Sequence, residues 1–140
     1  MNTIEKELLV ESIALEVWSM YLMSVIGSSI ISKRVVMPQL RCICKGIGAA
    51  GRYYPSGRIV EINVAYYNGD GNTEQLTETI AHEIAHHIAH CIWPNASQWH
   101  GPEFRMVMQS IGYDGDTFHS MSRSKAVAVA RQSKDELFDL

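Results

Sequence analysis

Residues 82–86 read His82-Glu83-Ile84-Ala85-His86, an HExxH pentapeptide set in a stretch from Thr73 to Ile92 that reads as one helix, and its reading decides both the fold and the chemistry. On a helix, residues four apart share a face and lie about 6 Å apart along the axis. Two imidazoles so placed can address one Zn²⁺ at about 2.0–2.1 Å. Glu83 lies next to the first histidine but is rotated off the ligand stripe. From there a carboxylate reaches an attacking water without occupying the metal, which is where hydrolysis needs a general base. A chain of this length and composition would contain such a pentapeptide by chance roughly a few times in a hundred. The surrounding sequence therefore has to decide.

The run around the motif is bounded like a helix. Thr73 opens it, Glu74 and Glu78 sit early where carboxylates suit the helix dipole, and it ends before Pro94. Gly101-Pro102 then opens another helix, Glu103 to about Ile111, which Gly112 stops. Near the start, Ile4 to about Val25 carries apolar residues at helical spacing with Glu5, Glu7, Glu11 and Glu16 towards its beginning, and reads as an amphipathic helix. Leu40 to Ile47 alternates and reads as a strand. Gly46, Gly48, Gly51 and Pro55-Ser56-Gly57 supply turn chemistry. Arg58 to Val64 is a second strand, expected antiparallel to the first. Residues 68–72 form a loop, and the polar tail from Ser124 holds at most a short helix around 126–130. These elements predict an α+β fold: N-terminal helix, antiparallel hairpin, motif helix and following helix. One domain spans 1–140, with a core of about 8–121 and a tail at 122–140.

The chain has 140 residues, 46% of them hydrophobic, enough for one real core. Cys42, Cys44 and Cys91 are an odd number without framework spacing, and no signal sequence opens the chain, so a reduced, cytoplasmic protein is expected. The Asn95-Ala96-Ser97 sequon then carries no meaning. Residues 17–31 are apolar but too short and too interrupted for a membrane span, and read as buried helix. Cys42 and Cys44, two apart on a strand, share a face and read as core filler.

A catalytic zinc usually takes three protein ligands and leaves the fourth position open. His90 is eight residues from His82, about 12 Å along the axis, and His87 is turned about 100° from His86. Both read as packing or solvated side chains. His100 differs, because the helix stops at Trp93-Pro94 and a loop returns through Trp99 to His100-Gly101-Pro102. Gly101 permits close backbone approach. His100 is therefore preferred as third ligand, with Glu103 as the competing donor. Trp93 and Trp99 read as packing for that loop.

The run from Glu78 to His86, followed by His100-Gly101-Pro102-Glu103-Phe104, resembles the SprT-like/Spartan metalloprotease domain, with its HExxH helix and later HGxxF/W segment. Gly57 leading into Arg58–Asn63, and the Gly112 turn followed by His119, are similar to that family too. The similarity extends from about Leu8 to Met121. It implies a zincin-like domain holding one Zn²⁺ per chain through His82, His86 and His100, with Glu83 as the base. Family members often add a C-terminal Cys₄ zinc ribbon or DNA- and partner-binding segments. Here no cysteine follows Cys91, so the DNA targeting those segments provide is expected to be absent, to lie within the domain or to come from another protein.

The resemblance implies a DNA-dependent activity, and the charge pattern fits it. Between Glu16 and Glu61 there is no acidic residue, yet Lys33, Arg34, Arg41, Lys45, Arg52 and Arg58 all fall there. From Glu61 to Asp116 the balance reverses, with Arg105 the only cation among eight carboxylates. An anionic partner beside a metal site is the expectation. Arg41, Lys45, Arg52 and Arg58 are its candidate phosphate contacts. Tyr53 and Tyr54, flanked by glycine and proline, are expected to be exposed and to stack on unpaired bases, giving a preference for single strands. The expected function is a zinc metallopeptidase acting on DNA-bound or DNA-crosslinked proteins, hence a DNA-repair role and nucleoid association. Tyr113 and His119 are candidate oxyanion or supporting groups. Two alternatives stand beside this reading: a zinc-containing nucleic-acid-binding module with little catalysis, and a zinc peptidase with no DNA partner.

Overall fold

The computed structural model describes residues 1–27, 34–67 and 72–115. In chain order these form α1 (Thr3–Met23), β1 (Gln39–Ile43), β2 (Gly51–Tyr54), β3 (Ile59–Asn63), a 3₁₀ turn (Val64–Tyr66), α2 (Thr73–Ile92) and α3 (Pro102–Gln109). This is the expected α+β class. His119, Lys33, the loop at 68–71 and the expected tail helix lie outside the described residues.

The motif helix α2 is the centre of the structure. Every residue from Glu78 to Ala89 is buried, because α1, α3 and strands β2 and β3 all pack against it. α1 starts at an Asn2 cap, whose side-chain oxygen accepts the Glu5 amide at 2.8 Å. Its inner stripe of Val10, Ile13, Ala14, Val17 and Tyr21 faces the core. Tyr21 donates its hydroxyl to the Ala81 carbonyl at 2.9 Å, one residue before the first motif histidine. Burial raises the Tyr21 pKa far above the ordinary phenol value, so it stays a donor. α3 contributes Phe104, Val107 and Met108 to the same core.

The sheet corrects the expected strand pairing. Its order is β1-β3-β2, with β1 parallel to β3 and β2 antiparallel to β3. The hairpin exists, but its first strand is Gly51–Tyr54, a stretch read as turn because glycines surround it. β1 is shorter than expected, ending at Ile43, and the chain then crosses the end of β3 to its other side. Buried Asn63 holds that crossing: its Nδ2 donates to the Lys45 carbonyl at 2.8 Å and its Oδ1 accepts the Lys45 amide at 3.0 Å. The early end of β1 also separates the two cysteines. Cys42 packs at the core edge, where burial, then Glu7 and Glu11 of α1, push its thiol up to about 11. Cys44 is exposed and not core filler. No helix among the described residues is long and apolar enough to cross a membrane.

Candidate metal centre

Helical periodicity puts His82 and His86 one turn apart on the face of α2 that meets α3, and the loop after α2 returns His100 to them. One ligand nitrogen from each of the three lies within 4.8 Å of the other two. The His86 and His100 Nε2 atoms are 3.1 Å apart. Two imidazoles sharing a tetrahedral ion at about 2.0–2.1 Å would place their nitrogens about 3.3 Å apart, so the spacing fits. Three imidazoles are also the donor set expected of a borderline-soft divalent ion such as zinc. Burial, then Arg105, lowers the His100 pKa and favours the neutral imidazole that ligation requires.

The return of His100 depends on Gly101. A Cβ there would sit 3.0 Å from Gln98 Cβ and 3.2 Å from the Gln98 carbonyl oxygen, so the turn between Gln98 and Gly101 tolerates no side chain cheaply. Glu103, the competing third donor, stays outside the trio and lines a small cleft with Trp93, Trp99 and Phe104.

Glu83 is buried beside His82, its Oε1 3.8 Å from His82 Nε2. Burial pushes its carboxyl up to about 8. A cation held by the neighbouring imidazoles opposes that shift and favours the carboxylate, the form a base needs. Behind Glu83 lies Gly51 at the start of β2. A Cβ at Gly51 would fall 2.9 Å from Glu83 Cγ and 2.9 Å from Thr79 Cγ2. The missing side chain thus lets β2 lie directly on the turn of α2 that carries the carboxylate. This residue was read from the sequence only as turn chemistry.

The two histidines excluded on spacing are indeed elsewhere. His87 is fully buried and its Nε2 faces the Val36 carbonyl at 2.6 Å, so Nε2 carries the proton. Its Nδ1 then accepts from the Tyr53 hydroxyl at 2.9 Å. His90 Nδ1 lies 3.3 Å from the same hydroxyl. Tyr113 lines a cleft of about 340 Å³ with Thr73, Glu74 and Glu78 along the first turns of α2. Burial, then Glu78 and Glu74, raise its pKa and keep it a phenol.

The expected nucleic-acid face is corrected in two respects. Tyr53 is 8% exposed and points towards α2, so its ring is not available to stack on bases. Alternation along β2 is the reason: Gly51 and Tyr53 face the helix, while Arg52 and Tyr54 face away. The run without acids is also not acid-free in space. β3 inserts between β1 and β2, so Glu61 pairs in register with both Arg41 and Arg52, and Arg41 Nε donates to it at 2.8 Å. The Arg41 guanidinium also lies 5.0 Å from the Tyr54 ring centre. Lys45, Arg52 and Arg58 are exposed, and none makes an ion pair with a carboxylate among the described residues.

A small α+β domain that closes three imidazoles around one point, two of them from an HExxH helix, has the makings of a zincin-like metal site. Comparison with protein-family models matches residues 38–125, more than half of the chain, to the SprT-like family. The chain belongs to the SprT-like family. Searches of curated proteins and of solved structures return no match to it.

Proposed function

We propose that this domain is a zinc-dependent metallopeptidase. The observation that carries the reading is the convergence of His82, His86 and His100 with the buried Glu83 carboxylate beside them. A purely structural zinc has no use for a carboxylate at that place, which weighs against a binding module with little catalysis. Zn²⁺, when bound, supplies Lewis-acid polarisation of the scissile carbonyl and makes water more acidic. Glu83 takes a proton from the attacking water as its oxygen bonds to the carbonyl carbon. It returns that proton to the amine nitrogen as the carbon–nitrogen bond breaks. The oxyanion group is not assigned; Tyr113, a neutral phenol able to donate, and His119 are its candidates.

The substrate class we assign is protein bound or crosslinked to DNA, with single-stranded DNA as the preferred cofactor strand, a role in DNA repair, and work in the cytoplasm near the nucleoid. Exposed Lys45, Arg52 and Arg58 support it. Burial of Tyr53 and the Arg41–Glu61 pair favour a second reading, the same peptidase without a DNA partner. Both are tested together. Glu83→Gln should retain metal and fold yet lose proteolysis by several orders of magnitude, because the amide keeps the shape and removes the base. Stimulation of wild-type proteolysis by single-stranded DNA supports the DNA-dependent form. Equal rates with and without DNA select the second reading. An active Glu83→Gln enzyme free of wild type overturns the peptidase mechanism.

A further inference from the structure

His86 is held differently from the other two ligand imidazoles. Phe104 stacks on one face, with ring centres 4.3 Å apart and planes 21° apart. Trp99 stacks on the other at 4.5 Å and 13°. Beyond Trp99 the column continues to Tyr53, at 6.0 Å and 19°. Phe104 meets His82 and His100 edge-on instead. The far end of the column is anchored in the core, because the Tyr53 hydroxyl donates to His87, whose other nitrogen donates to the Val36 carbonyl.

Trp99 is 47% exposed. Core packing does not call for an indole in a half-exposed loop position. Its face, however, covers a ligand ring.

We infer that Trp99 is a positioning residue of the metal centre: backed by Tyr53, its indole face fixes the ring plane of His86 before a metal arrives. This rests on reading His82, His86 and His100 as a metal site. The physical need is specific. The lone pair of an imidazole lies in the ring plane, so ligation requires the ring to be turned towards the ion, while the terminal torsion of histidine is broad. Stacking on both faces narrows that torsion and removes part of the ordering cost of binding. Supporting groups that orient ligand rings have a measurable share in metal affinity. Losing one aromatic stack should weaken binding roughly two- to thirteenfold.

The test is a chelator-competition titration of the full chain with Zn²⁺, with Co²⁺ visible spectra taken in parallel. The proteins are wild type, Trp99→Leu, Trp99→Phe and His100→Ala. Trp99→Leu should bind Zn²⁺ more weakly by that factor and shift or broaden the Co²⁺ band, with the melting temperature of the metal-free protein nearly unchanged. Trp99→Phe restores a ring face and should bind within about twofold of wild type. Trp99→Gln serves as a second ring-free variant if the leucine protein misfolds. A Trp99→Leu protein with wild-type affinity and spectrum overturns the positioning role, as does Trp99→Phe failing as badly as Trp99→Leu. Those outcomes leave the metal site standing if His100→Ala has lost affinity. Wild type that takes up no metal, or His100→Ala that binds as wild type does, overturns the site reading and this inference with it.

Discussion

Replacing Gly51 by alanine puts a methyl carbon 2.9 Å from both Glu83 Cγ and Thr79 Cγ2, where ordinary contact begins at 3.4 Å. The two obstructing atoms belong to successive turns of α2, so moving the methyl away from one does not relieve the other. Either β2 lifts from the helix or Glu83 swings, by roughly 0.5–1 Å in either case. Overpacking of this kind costs about 1–3 kcal/mol. The stiffer unfolded chain returns about 0.4–1 kcal/mol of that. The net loss of up to about 2.5 kcal/mol should lower the melting temperature by up to about 10 °C for a domain of this size. Activity should suffer more than stability. A displacement near 1 Å of a catalytic group can cost about 10²-fold, so kcat should fall roughly ten- to a hundredfold. KM should stay near wild type; zinc affinity should too if Glu83 swings, whereas lifting β2 would draw Tyr53 off Trp99 and weaken zinc binding. The measurements are kcat and KM on a denatured protein substrate, zinc content, and a thermal melt. Wild-type kcat and melting temperature together would refute the seating of Glu83 against β2. Parallel losses of zinc and kcat would show that β2 lifted or the helix moved rather than the carboxylate alone.

Elemental analysis should find about one zinc per wild-type chain and little in His100→Ala, while Glu103→Ala keeps it; the opposite pattern would transfer the third ligand to Glu103. Iodoacetamide at pH 8 should label exposed Cys44 before Cys42, whose raised pKa leaves little thiolate and whose side chain is half covered, as read by peptide mass spectrometry. Charge reversal at Arg52 and Arg58 should weaken binding to single-stranded DNA and reduce the log–log salt slope by roughly 1–1.5, taking about 0.7 per phosphate contact. Fluorescence anisotropy at several salt concentrations reads this, and unchanged affinity would remove those residues from any DNA site.

The helices were legible because each declares itself locally. α2 combines an opening threonine, early carboxylates, apolar residues recurring at helical spacing from Leu76 and a proline just past its end, and it spans Thr73–Ile92 as read. The sheet was not legible in the same way, because strand order is a long-range property. Arg52-Tyr53-Tyr54 has good strand chemistry, but three glycines precede it and Pro55-Ser56-Gly57 follows. Turn signals on both sides hid a four-residue strand between them. Once β2 takes the antiparallel edge beside β3, β1 can reach the sheet only on the other edge, where its direction is parallel. The error in direction thus follows from one missed short strand.

The same missed strand accounts for the reading of Tyr53 and of the basic run. Helical spacing put His82 and His86 on one face, and the loop length let His100 return to them, and the three do come together, because such geometry depends on local rise and reach. It also excluded His87 and His90 from the trio correctly, but it could not say what they do instead. A side chain on the far face of a helix acquires its role from whatever packs there, and here that is β2. The strand brings Tyr53 onto His87 and sets Gly51 beneath Glu83, while β3 carries Glu61 between Arg41 and Arg52. An apparent nucleic-acid stripe in the linear chain becomes a partly neutralised sheet face and an inward-pointing ring. Tyr53, expected at an exposed turn, lies instead on a strand packed against α2 behind the candidate metal centre. DNA affinity, if titration finds it, is then expected from outward cations such as Arg34, Lys45, Arg52 and Arg58, and Tyr53→Leu should leave any single-strand preference unchanged, a loss returning that ring to the DNA site.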